Sequence, residues 1–551
     1  IESDCGNYDK ALSELDKARE FSPGNGRYNA LKAQIYYWRG MYEEAETEYR
    51  SALSRGFDSE DVRKALGRIC YEQLRYDEAV EEFKNALKIN PGSGEIHSEL
   101  SKVYGSKRDF ENYARELESA VAKGYEGEEI RIKLAESYRD RGLYSQAVRE
   151  FRHALRIGAK KDEPWFKNSI LNEIELSERK VVLESKPRVL SVVLTNRCNL
   201  RCVMCDVGGG KPKDISASLV DSIVEWMPYV EKISWQGGEV FLYGGFKELF
   251  EQASSYEHLE QIIITNGLLI DEYWAKRLCS NKVNLNYSID GFDREVYEGI
   301  RTGADYGELL ESIDRINSHK GASSGLRMSL RFTVMRSNYK QLGKIVDFAK
   351  KHNFDDFTVI YVHPCNVAGR AGDVTVKDDK IKKYVECIIP EIRSRSDSLG
   401  IKFQDRISAV TEVNCLHEHG RIALQEQSFL QAEMPEEVIE PVDEVRLLDD
   451  ECDNHGSFEN NGINTFSYCY WPWQHLFINI EDAIKPSCRC RQKIIDISNA
   501  RSLDSVWNSN GMRDYRDMVG RNEFETLCNT DMSRNECMKS PVSGGPGGIL
   551  W

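Results

Sequence analysis

Tyr8, Tyr42, Tyr76, Phe110 and Tyr144 stand at a constant step of 34 residues. A fixed step of that size restricts the first third of the chain to stacked copies of one unit, none of which can bury its apolar face alone. Three residues after each aromatic comes Ala11, Ala45, Ala79, Tyr113 and Ala147; ten residues after comes Ala18, Ala52, Ala86, Ala120 and Ala154. Larger residues lie between them, at Leu15, Tyr49, Phe83, Leu117 and Phe151. Upstream, Ala33, Gly67, Ser101 and Ala135 are each followed three residues later by Tyr36, Cys70, Tyr104 and Tyr138. The small residues let two helices of a hairpin approach closely, and the aromatics wedge between neighbouring hairpins. Pro91, behind "KINP", closes a repeat where a helix must stop.

Leu66, Gly67, Ala79, Phe83, Ala86 and Pro91 of a single unit give the array its family likeness: it resembles the tetratricopeptide repeat, over residues 1–161. The resemblance implies an all-α superhelix whose surface binds a peptide or partner protein. Arg27, Asn29, Arg63, His97 and Arg131 are expected to be exposed on its concave face. The first unit lacks most of its leading helix and the chain opens on Ile1, as expected of a piece cut from a longer parent. Residues 162–187, with Trp165, Phe166, Ile170, Leu171 and Ile174 at helical spacing, read as a capping helix and linker.

From "RVLSVVLT" onward the pattern changes to short β-branched runs separated by amphipathic segments. Strands are expected at Val189–Thr195, Lys232–Trp235, Gln261–Thr265, Val283–Ile289, Arg327–Val334 and Phe357–Val362. Helices are expected near 216–229, 245–256, 271–280, 306–319 and 339–352. Six strands with helical crossovers imply a parallel sheet, with chemistry at the carboxyl ends of its strands. Immediately after the first strand comes Cys198-x3-Cys202-x2-Cys205. Three thiolates on one short loop can wrap one corner of an iron–sulfur cube and leave one iron open. Zinc prefers four ligands in a closed tetrahedron, which a lone triplet does not supply.

With its context, the triplet resembles the radical S-adenosylmethionine superfamily over about residues 188–370. The resemblance implies a partial (β/α)6 barrel, spanning 188–395, with a 4Fe–4S cluster on Cys198, Cys202 and Cys205. It also implies S-adenosylmethionine chelated to the open iron and cleaved reductively to a 5′-deoxyadenosyl radical that takes hydrogen from substrate. "WQGGEV" matches the family's Gly-Gly-Glu segment, so Gly237, Gly238 and Glu239 would hold the methionine amine. Asn266 in "ITNG", Ser288 and Asp290 in "YSIDG", and Arg301 in "GIR" fall at further cofactor-binding positions. Met204 stands where many members place an aromatic against adenine, and its thioether can cover the same face. Val240 replaces the usual proline after Gly-Gly-Glu. "HPCNVAGRAG" follows the sixth strand, with Cys365 a candidate hydrogen donor. Cys279 and Cys387 read as buried small hydrophobes.

Residues 396–468 read as an acidic surface insertion in which Cys415, His417, His419, Cys452 and His455 match no standard metal spacing. Beyond it, Cys469 and Cys488 flank a hairpin turning at Glu481-Asp482-Ala483, and Cys528 and Cys537 follow a helical stretch. Their order resembles the SPASM or "twitch" extension of radical S-adenosylmethionine enzymes, a small α+β domain expected at 469–540. The full extension uses seven cysteines for two clusters; here Asp531 replaces one and none follows Cys537. The resemblance therefore implies one auxiliary 4Fe–4S cluster on Cys469, Cys488, Cys528 and Cys537, with Cys490 in reserve. Residues 541–551, rich in Gly and Pro, read as a flexible tail.

Composition narrows the function classes. A net charge of −16 argues against nucleic acid as the partner. A mean hydropathy of −0.54 and the lack of long apolar runs argue against a membrane span. Fifteen cysteines without an export signal favour soft-metal ligation and a cytoplasmic setting. The expected activity is that of a radical S-adenosylmethionine oxidoreductase or maturase acting on a peptide or protein side chain, with a small electron donor such as flavodoxin or ferredoxin. The alternatives are the same chemistry on a sugar, nucleotide or polyol, with the repeats serving assembly, and a scaffold without catalysis, which the intact motifs disfavour.

Overall fold

The computed structural model describes residues 8–22, 24–158, 163–205, 211–321, 324–361, 379–405, 471–479, 483–485, 495–496 and 502–521. It divides into two compact units, Ile1–Ser185 and Lys186–Trp551.

In the first unit, every aromatic of the 34-residue series opens a helix: α1 (Tyr8–Phe21), α3 (Tyr42–Ser54), α5 (Tyr76–Ile89), α7 (Phe110–Ala122) and α9 (Tyr144–Gly158). Between them run α2 (Gly26–Trp38), α4 (Glu60–Glu72), α6 (Gly94–Ser106) and α8 (Glu128–Asp140), so that α2/α3, α4/α5, α6/α7 and α8/α9 form successive hairpins. Ala52, Ala86, Ala120 and Ala154 are fully buried, as the close helix approach demands. Inside each hairpin the turn passes through positive φ at Gly40, Leu74, Arg108 and Gly142, again 34 residues apart. Two of these are not glycine, so the helix packing on either side holds the left-handed geometry in place. α10 (Pro164–Ser177) follows and buries Phe166, Ile170 and Ile174 with Leu134, Tyr138 and Phe151.

The residues expected on an exposed concave face need correction. Only Arg27 is exposed. Asn29 donates to Glu48 at 2.6 Å, Arg63 to Glu82 at 2.8 Å and Arg131 to Glu150 at 2.5 Å, while His97 Nδ1 lies 2.6 Å from Glu116. Each pair joins the first helix of a hairpin to its second, and the four pairs repeat at the 34-residue step. Asn29 and Arg131 are buried, and Arg63 and His97 are half-buried. A polar group that lies between packed helices must find its partner there. These side chains therefore clamp hairpins.

In the second unit, β1 (Val189–Val193), β2 (Lys232–Gln236), β3 (Glu260–Thr265), β4 (Val283–Ser288), β5 (Leu326–Val334) and β6 (Asp356–Tyr361) lie side by side in chain order and run parallel. Helices α11 (Ala217–Trp226), α12 (Phe246–Ser254), α13 (Glu272–Cys279), α14 (Arg294–Ile300), α15 (Tyr306–His319) and α16 (Ile345–Lys351) provide the crossovers. One sheet face is apolar and packs on helices: Trp235 meets Phe246 of α12 edge-on, and the Tyr287 hydroxyl lies 3.3 Å from Ser312 of α15. The alternate residues, among them Ser191, Ser234, Asn284, Asn286 and Arg331, point the other way.

The sheet is larger than the sequence implied, with ten strands ordered β10-β9-β8-β1-β2-β3-β4-β5-β6-β7. β7 (Lys402–Asp405) runs parallel to β6, and a helix over Asp379–Ser398 leads into it. The expected boundary at 395 thus cuts a helix, and 396–405 belong to the sheet and its approach instead of a surface insertion. β7 was illegible because "KFQD" is short and polar; Gln404 pairs with Thr358 and Asp405 with Arg393. On the opposite side, β8 (His475–Asn479) and β9 (Ala483–Lys485) form the expected hairpin, and β10 (Ile495–Asp496) pairs with β9. β8 also runs parallel beside β1, making the hairpin continuous with the main sheet. A short helix over Leu503–Trp507 sets Trp507 edge-on to Trp226 of α11, whose Nε1 donates to Asp504.

Candidate active site

The loop that leaves β1 is pinned on three sides. At its root, Thr195 Oγ1 donates to Asp214 at 2.6 Å, Asp214 also receives Arg197, and Asn196 is bonded to Lys213 through backbone and side chain. On the second side, the end of β2 runs directly against the loop: Gly238 N–H donates to the Thr195 carbonyl at 2.7 Å and Glu239 N–H to the Arg197 carbonyl at 2.8 Å. That contact explains the paired glycines. A Cβ on Gly237 would sit 2.4 Å from the Thr195 carbonyl oxygen, and one on Gly238 2.2 Å from that of Arg197. Gly237 also has φ +153. On the third side, Arg201 N–H donates to the Thr302 carbonyl and Val203 N–H to the Ile300 carbonyl, both at 2.9 Å. Met204 and Val203 pack there against Ile300 and Met335.

Clamped in this way, the loop presents three cysteines. Cys198 and Cys202 are half-buried and Cys205 is exposed. Burial pushes the Cys202 thiol up to about 11, with Cys205 and Cys198 adding to the rise and Arg301 opposing it. Cys198 is shifted upward mainly by burial, with the field of Glu239 and Cys205 adding to it and a hydrogen bond from the Leu200 N–H opposing it. Two thiols held against ionisation chiefly by burial, Cys198 and Cys202, fit a site whose charge is completed by bound metal. The donor set, sulfur only and on one loop, suits an iron–sulfur cluster.

Around the loop the other sequence-predicted residues fall into two hydrogen-bonded groups, one centred on Glu239 and one on Asp290. Glu239 is fully buried; its carboxylate accepts Thr265 Oγ1 and Asn266 N–H, each at 2.9 Å. Burial outweighs these bonds and pushes its carboxyl up to about 7. A carboxylate so placed gains from a cationic neighbour, as the ammonium of an amino acid would be. Asn266 Nδ2 reaches back to Asn199 Oδ1, between the first two cysteines, at 2.8 Å. Asp290, also fully buried, accepts Arg301 Nη2 at 2.6 Å and Thr333 N–H at 2.8 Å. Its carboxylate is thus occupied within the protein. Ser288 stands at the end of β4, opposite Arg331.

Sequence reasoning missed Thr195, Asn199, Asp214, Thr333 and Asn338, which hold the loop and these two groups; Asn338 donates to the Asp290 carbonyl at 2.9 Å. Asn199 had a signal, since it lies inside the triplet; the others act through contacts that no linear spacing reveals. Cys279 is buried as expected, but Cys387 is exposed on its helix. Cys70 is fully buried; the carboxylates that approach it, Glu46 and Glu78, are both bonded to Arg75. Cys365, Cys415, His417, His419, Cys452, His455, Cys469, Cys488, Cys490, Cys528, Asp531 and Cys537 lie outside the described residues.

Residues 192–361 match the model of the radical SAM superfamily, and residues 5–69 and 67–107 match tetratricopeptide repeat models. The chain therefore carries a radical S-adenosylmethionine domain behind a tetratricopeptide array. This domain belongs to enzymes that use S-adenosylmethionine and a 4Fe–4S cluster. Among curated relatives, the chain is 24% identical over 213 residues to a probable GTP 3′,8-cyclase of Sulfolobus acidocaldarius, covering 37% of this chain and 66% of that one. It is 29% identical over 143 residues to the GTP 3′,8-cyclase of Peptoclostridium acidaminophilum, covering 23% and 42%. The chain thus spans less than two thirds of these relatives' length. Among solved structures, SuiB of Streptococcus suis bound to S-adenosylmethionine is similar at 15% identity and a TM-score of 0.43, over 70% of this chain and 80% of that one. Among the described residues no helix is long and apolar enough to cross a membrane.

Proposed function

We propose that this chain cleaves S-adenosylmethionine reductively and oxidises or otherwise matures a peptide or protein side chain that the repeat array recruits. The observation that carries the reading is the three-sided clamp on the cysteine loop, which sets the root of that loop against the buried Glu239 and Cys202 beside the Asp290–Arg301 pair. When bound, the cluster and S-adenosylmethionine supply a 5′-deoxyadenosyl radical that removes a hydrogen atom from substrate. The chain's own residues hold and orient. Cys198, Cys202 and Cys205 would ligate iron; Gly237, Gly238 and Glu239 would shape the receptor for the methionine amine; Met204 would cover the adenine. Asn266, Ser288 and Arg301 complete the cofactor pocket. One auxiliary cluster on Cys469, Cys488, Cys528 and Cys537 would bring iron to about eight per chain, with reducing equivalents from a flavodoxin- or ferredoxin-like donor.

The tetratricopeptide array supports a peptide or protein substrate, because it puts a repeat of the binding type in the same chain as an enzyme domain. Deleting residues 1–161 is expected to spare uncoupled S-adenosylmethionine cleavage while sharply raising KM for the substrate, because binding contacts are lost and chemical ones are not. An unchanged kcat/KM would reduce the array to an assembly module. The second reading would then stand, a small-molecule substrate such as a nucleotide, which the similarity to curated GTP cyclases favours.

A further inference from the structure

The two hydrogen bonds that fix the third side of the cysteine loop bracket one residue on each partner. Arg201 and Val203 flank Cys202, and the carbonyls they reach, Thr302 and Ile300, flank Arg301. The backbone thus places Arg301 beside Cys202, and Arg301 Nη1 lies 3.9 Å from the Cys202 sulfur, at the outer edge of contact for a charged donor to sulfur. Arg301 is 6% exposed. Asp290 takes its Nη2 and is itself fixed by Thr333 N–H, so the guanidinium cannot swing away without leaving a buried carboxylate uncompensated. Its Nε, also buried, has no acceptor among the described residues. One carboxylate therefore satisfies only part of a five-donor cation, and Nη1 is left for the Cys202 sulfur.

We propose that Arg301, anchored by Asp290, is a positioning residue that donates to the Cys202 thiolate and raises the reduction potential of the cluster this loop holds. The inference rests on the cluster reading above. Adding an electron makes the cluster more negative, and a buried cation hydrogen-bonded to one of its sulfurs favours that state. The effect requires only the cluster and is present before S-adenosylmethionine binds. That separates it from the cofactor-binding role the sequence resemblance gives Arg301.

The test is an EPR-monitored redox titration of the anaerobically reconstituted full chain without S-adenosylmethionine. The signal of this cluster is the one absent from the Cys198→Ala/Cys202→Ala/Cys205→Ala variant. Arg301→Met, carrying the same iron as wild type, should titrate at a more negative potential with altered g-values, and Arg301→Lys should recover part of the shift. Should Arg301→Met fail to retain iron, Asp290→Asn keeps the shape, releases the anchor and should move the potential by itself. Unchanged potential and g-values in an iron-loaded Arg301→Met, or in Asp290→Asn when that variant is the one loaded, would overturn the inference. So would a shift that emerges only after S-adenosylmethionine is added. A wild-type chain that takes up no iron–sulfur cluster would instead overturn the cluster reading.

Discussion

Both units bury charged side chains, and they do so in different patterns. In the repeat unit the same arrangement returns every 34 residues: Asn29 with Glu48, Arg63 with Glu82, His97 with Glu116, Arg131 with Glu150. In the sheet unit the deepest carboxylates, Glu239 and Asp290, occur once each and stand just past the ends of β2 and β4. A buried pair that recurs with the architecture belongs to the architecture. A buried carboxylate that occurs once, where parallel strands end beside a loop of thiols, is a candidate for the chemistry proposed above.

The comparison can be broken most severely with glycines. Gly67 of α4 and Gly238 after β2 both leave too little room for a Cβ, but the obstacles differ: the rim of the Phe83 ring at 2.7 Å for Gly67, the Arg197 carbonyl at 2.2 Å for Gly238. A ring can shift, whereas the carbonyl is part of the clamped backbone. Gly238→Ala should therefore strip most iron from the reconstituted chain. Gly67→Ala should retain iron and destabilise only the repeats, by about 1–3 kcal/mol of overpacking. Gly244→Ala, which meets nothing within 4 Å, should change neither. Iron analysis and melting curves read all three.

Next in size is a rung of the repeat ladder. Arg131→Ala removes the near partner of the buried Glu150, leaving it only Arg149 at 3.5 Å, and should cost about 2–3 kcal/mol. Arg115→Ala removes an exposed pair with Glu111 and should change stability by about 0.5 kcal/mol or less. Circular-dichroism melting that finds the two equal would show that the ladder is ornamental.

Smallest is a pH effect in the sheet. His475 of β8 is buried at 2.9 Å from Ser191 of β1, and burial pushes its imidazole down to about 3. The folded ring stays neutral while the unfolded one takes a proton below its ordinary value of 6.5. The stability contribution is therefore full above pH 6.5 and is lost as pH falls toward 3, by at most about 1.4 kcal/mol per unit. Denaturant titrations at pH 7 and pH 5 should show this loss, and His475→Gln should flatten it.

How much of this was legible in the sequence depended on the range of each interaction. The 34-residue step exposed the hairpins because their packing is local and repeated. It carried the ladder too, since Glu48, Glu82, Glu116 and Glu150 march at the same step as their partners; polarity alone assigns Asn29, Arg63, His97 and Arg131 to the surface, and the helix packing overrides it. The cysteine loop and Gly-Gly-Glu were legible as motifs. The reason for the two glycines was not, because it lies in a backbone approach between residues 195–197 and 237–239. β7 is illegible because it is short and mostly polar, and the pairing of the hairpin strand β8 with β1 is illegible because it spans most of the second unit.

The proposed activity requires Cys198, Cys202 and Cys205 to hold the cluster that cleaves S-adenosylmethionine. The most direct measurement is 5′-deoxyadenosine formation by the anaerobically reconstituted chain with a strong one-electron reductant, alongside iron content. Wild type should form 5′-deoxyadenosine with about eight irons per chain, and the triple alanine variant should form none, keeping about four irons and folded repeats. Cleavage that persists in the triple variant would contradict the account.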